Sequence, residues 1–421
     1  MARTVGATAL AAGGIYGAQA AQFRRQAARR MEFIEPAAPG TDAFARWLEA
    51  ECSAPLRLGN RARVLRNGDD IIPSMLEALS SATETVDFSN YIFWKGETAS
   101  TFAAALAERA RAGVEVNVLL DAYGSAKIDH SLIPDMEGAG VNFSWFRAPH
   151  WYKLNQLNNR MHRRSLVIDG RVGFTGGFGV ADEWTGDAEG PANWRDTHMR
   201  IEGPAVRDIV GGFLENWVDA TQRILDRTHL PELAPFDDGV AVQISRSSPE
   251  HGISPAEELI LAATTGARER LWITTAYFAP RRAVIDELVA AAGRGVDVRL
   301  LVNGPHIDKE MVRRAGQRSY SRLLEGGVRV LEYQRTMMHA KVVVADDGWA
   351  NVGTANWDNR SLSLQEEMNC SIADPAVVAE IEKDFVDDFG DSEEIDLGRW
   401  RNRPLGARAY ELVGESLRHS L

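Results

Sequence analysis

A chain of 421 residues, 45% hydrophobic and 25% charged, has the make-up of a globular protein with room for two domains, which excludes a disordered chain. Its net charge of −12 excludes a protein that coats nucleic acid along its whole surface, while leaving room for a local basic site. Cys52 and Cys370 form no CxxC pair and the nine histidines include no HExxH, so a zinc-hydrolase reading lacks its ligands and both thiols are expected to be reduced and buried.

Residues 4–22 carry no charge and are followed directly by Arg24, Arg25, Arg29 and Arg30. The run has nearly the length of a membrane span, but it is built of Ala and Gly rather than the Leu, Ile and Phe that drive insertion. Residues 1–40 therefore read as a weak anchor with a basic linker, or as a surface-lying helix. If the run spans, the arginines hold the body of the protein in the cytoplasm. With only Arg3 ahead of it, a cleaved signal peptide is disfavoured.

Thr41 and Asp42 open a short amphipathic helix over 41–52. At Val64 a regular alternation begins. A strand is followed by the turn Arg66-Asn67-Gly68-Asp69 and a helix with Pro73 in its first turn and Met75, Leu76 and Leu79 facing inward. A strand over 85–94, a helix over 101–112 and a buried strand over 114–121 come next. Helices between strands of this length are crossovers, so an α/β fold with a mainly parallel sheet flanked by helices is expected. Further on, Trp151, Tyr152 and Lys153 stand where a lipid-surface anchor would serve, or pack as an ordinary loop.

Two stretches then repeat one order of residue types. The first runs from His162-Arg163-Arg164 through Asp169 and Gly176-Gly177 to Asp196-Thr197-His198. The second runs from His339-Ala340-Lys341 through Asp346 and Gly353-Thr354-Ala355-Asn356 to Glu367-Met368-Asn369. An imidazole and a cation two apart before an apolar run point to one face of a strand. Asp169-Gly170 and Asp347-Gly348 then turn the chain into a hairpin. The repeat extends further, since Gly113-Val-Glu-Val answers Gly295-Val-Asp-Val and Gly203-Pro-Ala-Val answers Asp374-Pro-Ala-Val. This predicts a duplicated domain, with halves at 41–225 and 240–395 joined by the proline-containing segment 226–239. The arginine-bearing stretch 396–421 is expected to be a C-terminal helix, either packed on the core or facing a membrane.

One imidazole from each half at a shared cleft suits a two-step displacement at phosphorus. One ring attacks to give a phosphohistidine and the other protonates the departing oxygen. Symmetry alone leaves open which ring does which. Arg164 and Lys341 would hold the non-bridging oxygens, with Asn356 as a further donor. An attacking imidazole needs a carboxylate behind it, and Asp196 and Glu367 are the candidates, each following the histidine of its own half. Gly177, Thr354, His198 and Asn369 complete the candidate substrate-binding positions, the last two either lining the site or satisfying buried polar groups. Asp169 and Asp346 introduce turns and read as structural. The chemistry requires no metal or other cofactor.

The segments Asn158-Asn-Arg-Met-His162, Trp194-Arg-Asp-Thr-His198, Met338-His-Ala-Lys341 and Gly353-Thr-Ala-Asn356-Trp-Asp-Asn-Arg-Ser361 resemble the phospholipase D superfamily, and within it the bacterial cardiolipin synthases. The resemblance implies two tandem pseudo-twofold α/β halves with one active site at their interface, His162 as nucleophile and His339 as acid and base. It implies transfer of a phosphatidyl group from one phosphatidylglycerol to another, giving cardiolipin and glycerol. The alternative is hydrolysis of a phospholipid or, less so, of nucleic acid by the same residues. Expected partners are phosphatidylglycerol and a membrane surface, with no nucleic acid and no obligatory protein partner. The expected place is the bacterial inner membrane, peripherally or weakly anchored, with the catalytic body cytoplasmic. Arg164 departs from the lysine of the family pattern, and Gly179 from an asparagine.

Overall fold

Helix-length spacers between short apolar strands force the chain to cross over, and each half accordingly carries a parallel three-strand block. The computed structural model describes residues 36–148, 159–248 and 254–403. The N-terminal run, the aromatic stretch 151–153 and the chain beyond 403 lie outside the described residues. In the first half the strands are β1 (Arg57–Arg66), β2 (Thr85–Asn90), β3 (Glu115–Asp121), β4 (Asn142–Phe146), β5 (Arg160–Met161), β6 (Ser165–Ile168), β7 (Val172–Gly176) and β8 (Thr197–Glu202). The second half has β9 (Val240–Ser247), β10 (Arg270–Thr274), β11 (Phe278–Ala279), β12 (Asp297–Asn303), β13 (Arg329–Tyr333), β14 (Val342–Ala345), β15 (Trp349–Gly353), β16 (Trp357–Asp358), β17 (Gln365–Ala373) and β18 (Ser392–Glu394).

Strands β2, β3 and β4 are parallel, as are β10, β12 and β13, with helices Glu97–Arg111 and Arg282–Gly293 among the crossovers. The motif hairpins β6–β7 and β14–β15 join these blocks antiparallel, so each half's sheet is mixed, with its parallel part set away from the motifs. Strand order shows the duplication directly. From β13 the sheet runs β12, β10, β14, β15, β17, β9, then β1, β8, β7, β6, β2, β3, β4. Equivalent strands stand at equal distances from the antiparallel β1–β9 pair, where a pseudo-twofold relation falls. Beneath that seam the helices Val206–Thr221 and Pro375–Gly390 enclose a core of both halves' residues, including Ile209, Met368 and Phe385.

Two local expectations change. Arg66 to Asp69 is not a free turn, because the helix Asn67–Ser81 already begins there and carries Pro73 inside it. Asn67 adopts the left-handed conformation asparagine tolerates, at φ 59°, and is tied through its N–H and side chain to Asp196. Gly68 lies against the Trp184 carbonyl, where no Cβ would fit. Both cysteines are free and buried. In the linking segment, His229 is fully buried with Nδ1 2.8 Å from Asp87. Among the described residues no helix is long and apolar enough to cross a membrane.

Candidate active site

Backbone pairing across the seam sets the position of each histidine. β5 runs parallel to β17 of the other half, and the His162 N–H donates to the Glu366 carbonyl at 3.0 Å, which brings His162 beside Glu367. Reciprocally, Met338 bridges to Arg195 and the His339 N–H donates to the Arg195 carbonyl at 2.7 Å, which brings His339 beside Asp196. The carboxylates are thus exchanged between the halves. Our assignment of each to its own histidine is corrected: Glu367 serves His162 and Asp196 serves His339. The histidines sit on segments that hydrogen-bond across the seam, so sequence proximity gives the wrong partner.

His162 Nδ1 lies 2.9 Å from both Glu367 oxygens, and Nε2 lies 3.1 Å from an Arg164 guanidinium nitrogen. Arginine can only donate, so Nε2 accepts and the ring proton sits on Nδ1, facing the carboxylate. Glu367 is held in turn by hydroxyls of Thr354 and Ser361, each at 2.5 Å. His339 Nδ1 lies 3.0 Å from Asp196 and 3.0 Å from the Lys341 ammonium, which is 3.3 Å from Nε2. Lys341 also donates to the His339 carbonyl. Asp196 accepts from the Trp184 indole at 2.7 Å and from the Thr197 N–H at 2.8 Å. Trp194 stacks on the His339 ring and Trp184 meets it edge-on, while Tyr91 meets His162 edge-on.

All six groups are buried, with Asp196 and Glu367 fully enclosed. Burial first, then the neighbouring Arg164 and Lys341 charges, hold His162 well below its ordinary pKa. His339 is likewise held well below by burial and Lys341, which outweigh Asp196. Both rings are therefore neutral. The carboxylates differ. Burial would raise Asp196, but His339, Lys341 and the Trp184 indole keep it below the usual range. Burial pushes Glu367 up to about 7 in spite of its two hydroxyl donors. Lys341 is itself lowered well below the usual lysine value by burial.

The remaining candidates fall into place around these pairs. Gly177 and Thr354 are committed to the carboxylates rather than open to substrate. A Cβ on Gly177 would come 2.0 Å from Asp196, and its N–H is given to the Thr197 carbonyl. Thr354 donates to Glu367 and accepts the Met368 N–H. Asn356 keeps a buried side-chain oxygen without a hydrogen-bond partner among the described residues. His198 accepts the Phe178 N–H at 3.5 Å and burial lowers it to about 3, so it stays neutral. Asn369 packs on Gly353 as His198 packs on Gly176. Gly179 has Ile92 and the Trp184 ring where a side chain would extend. Asp169 and Asp346 lie at the far ends of the motif strands, each in left-handed backbone. Asp169 accepts the N–H groups of Thr83, Glu84 and Thr85, and Asp346 those of Arg268, Glu269 and Arg270.

Sequence reasoning missed Trp184 and Ser361 as carboxylate donors. They are equally spaced after Gly176 and Gly353, so the repeat itself held the signal. Residue identity concealed it, because an indole and a hydroxyl do not look alike. Among the described residues no group of His, Cys, Asp or Glu is arranged to hold a metal ion.

The profile of the family described as cardiolipin synthase, PLD-like domain, matches residues 75–187 and 260–389, one segment in each half. The cardiolipin synthase of Geobacillus kaustophilus (strain HTA426) is 35% identical over 368 residues, covering 86% of this chain and 73% of its own. Cardiolipin synthase A of Pseudomonas fluorescens (strain SBW25) is 34% identical over 368 residues, covering 86% and 76%. Among solved structures, phosphatidylserine synthase of Haemophilus influenzae Rd KW20 aligns over 88% of this chain and 99% of its own, with a TM-score of 0.62 at 14% identity, a likeness of fold.

Proposed function

Because the chain belongs to the cardiolipin synthase, phospholipase D-like domain family, we propose that it is a phosphatidyltransferase converting two phosphatidylglycerols to cardiolipin and glycerol through a phosphohistidine. His162 Nε2 attacks phosphorus, and the bond from phosphorus to the glycerol oxygen breaks as His339 gives that oxygen a proton. A hydroxyl of the second phosphatidylglycerol then returns a proton to His339 and attacks phosphorus, and the bond to Nε2 breaks. Replacing one phosphodiester by another needs no nucleotide.

The observation that carries this reading is the unequal backing of the two rings. His339 faces the firmly ionised Asp196, which favours an imidazolium once the substrate phosphodiester offsets the charges of Arg164 and Lys341. That suits a proton donor. His162 has its proton fixed on Nδ1, its Nε2 lone pair accepts from Arg164 until that guanidinium turns to the substrate's phosphoryl oxygens and frees it for attack, and Glu367 compensates the positive charge of the phosphorylated ring. Arg164 and Lys341 stabilise the phosphoryl oxygens, Arg164 bringing two buried guanidinium nitrogens without partners among the described residues. Burial of both rings limits water at the intermediate, which favours transfer over hydrolysis. The reading places the enzyme at the surface of the bacterial inner membrane, with its catalytic body cytoplasmic.

The test is a mass-spectrometric lipid profile after incubation with phosphatidylglycerol vesicles in the presence of chelator. Cardiolipin with free glycerol is expected. Phosphatidic acid without cardiolipin would assign the chain to hydrolysis instead.

A further inference from the structure

Two cations beside the site have no task in the chemistry above. Arg360 is the second residue of the helix Asn359–Leu364 that follows β16, one residue before the Ser361 that holds Glu367, and its Nε is buried with no hydrogen-bond partner among the described residues. Lys309 stands at the start of the helix Glu310–Gln317, its ammonium 4.5 Å from the centre of the Tyr277 ring, whose edge in turn faces His339. Neither forms an ion pair among the described residues. Their charges nevertheless reach His162, and Arg360 acts on Lys309 alongside Asp308 and Asp358. The nearby carboxylates have other roles: Asp308 accepts the Tyr277 hydroxyl, and Asp358 caps the helix Asn359–Leu364.

The first half does not repeat this arrangement. Trp184 and Ser361 are equivalent, each donating to a catalytic carboxylate, so the residue before Trp184 is the counterpart of Arg360. That residue is Glu183, of opposite charge. Lys127, in the loop after β3, lies over the Trp94 ring instead. The pseudo-twofold relation is thus broken in charge, with the excess of cations on the second half's side of the cleft.

The proposed reaction brings two phosphodiesters into one site. Arg164, Lys341 and the two imidazoles are taken up by the transferring phosphoryl group. The second phosphatidylglycerol keeps its own phosphate, one glycerol away from the hydroxyl that attacks, and a buried or half-buried anion needs a cation. We propose that Lys309 and Arg360 bind the phosphodiester of the acceptor lipid, so that the enzyme selects an anionic phospholipid as acceptor over a neutral alcohol or water. This inference rests on the transferase reading above.

The phosphohistidine can be partitioned between two acceptors by adding butan-1-ol at fixed concentration to phosphatidylglycerol vesicles. The ratio of cardiolipin to phosphatidylbutanol does not depend on how fast the intermediate forms. Lys309→Gln and Arg360→Gln are each expected to lower it about tenfold, the effect of one charge-assisted hydrogen bond. Lys309→Arg is expected to hold it, and rising salt to lower it in the wild type. Lys309 lies at the surface, so its variants keep the fold even if those of Arg360 do not. An unchanged ratio in Lys309→Gln, or a parallel loss of both products, overturns the acceptor subsite alone. A wild type that yields only phosphatidic acid overturns the transferase reading and the subsite with it.

Discussion

Both carboxylate oxygens of Glu367 lie 2.9 Å from Nδ1 of His162, across the seam between two halves of one chain. His339 likewise meets Asp196, so each ring of the candidate site is oriented by the half it does not belong to. Glu367→Gln is expected to move the imidazole nitrogen resonances of His162 and leave those of His339 in place, and Asp196→Asn to do the reverse. Either change should lower turnover by about three to four orders of magnitude, the cost of losing the group that fixes a catalytic tautomer. Resonances that follow the pairing within each half would refute the exchange.

Glu367 also gives the enzyme a predicted pH response. With Glu367 protonated, its hydroxyl donates to His162 Nδ1, and the ring proton moves to Nε2, where it blocks attack. Since burial raises Glu367 to about 7, formation of phosphohistidine should fall as pH drops through about 7. Histidine titration alone would place that limb much lower, because His162 is held well below its ordinary value. A rapid-quench measurement of phosphoenzyme against pH distinguishes the two.

Stability supplies an independent check on the same group. A carboxyl with a folded pKa above its unfolded value of 4.5 costs nothing below pH 4.5, and its burial penalty grows as pH rises toward about 7. The two histidines act oppositely: being lowered in the fold, they destabilise it as pH falls through their unfolded value of 6.5. Glu367→Gln removes the carboxyl contribution alone. Its melting temperature relative to wild type should therefore rise between pH 4.5 and 7, by an amount equivalent to at most about 3 kcal/mol. A difference constant with pH would mean that Glu367 is not raised.

Asp169 and Asp346 are expected to matter for folding rather than chemistry, since each carboxylate gathers the N–H groups of three successive residues. Asp169→Ala and Asp346→Ala should each lower stability by about 2–4 kcal/mol, as loss of several cap-like hydrogen bonds does. Turnover per folded molecule and its pH profile should stay as in wild type. A changed pH profile would place these aspartates in the mechanism.

Gly177→Ala tests the close approach that the first half requires, because the added Cβ would sit 2.0 Å from Asp196 Oδ1. Displacing that carboxylate from His339 should cut turnover about a hundredfold or more, by misplacing a catalytic group. Gly190→Ala, with open space around its Cβ, is the matched control and should be silent.

The sequence made the two motif strands, their hairpins, the tandem repeat and the six central side chains legible, since these follow from local periodicity and residue type. It did not reveal the exchange of Asp196 and Glu367, because a repeat states what each half contains and not which edge faces which. The early start of the helix Asn67–Ser81 was hidden for a similar reason. Asn67 and Gly68 look like turn residues, but they are contacts to Asp196 and Trp184, distant in the chain. Lys309 and Arg360 lie outside the paired motif positions, and only the fold sets both charges near His162.

The reciprocal contacts about β1 and β9 are those of an isologous dimer, in which every residue of one subunit meets the partner's equivalent environment. Two separate identical subunits would be obliged to place the same residue at both stations of such a site. Covalent fusion lifts that obligation, and the stations here have diverged: Asp196 against Glu367, Trp184 against Ser361, Glu183 against Arg360. The proposed reaction asks one ring to attack phosphorus while the other, on the opposite side, protonates the departing alcohol and deprotonates the arriving one, and such unlike duties are better served by unlike halves than by a symmetric pair.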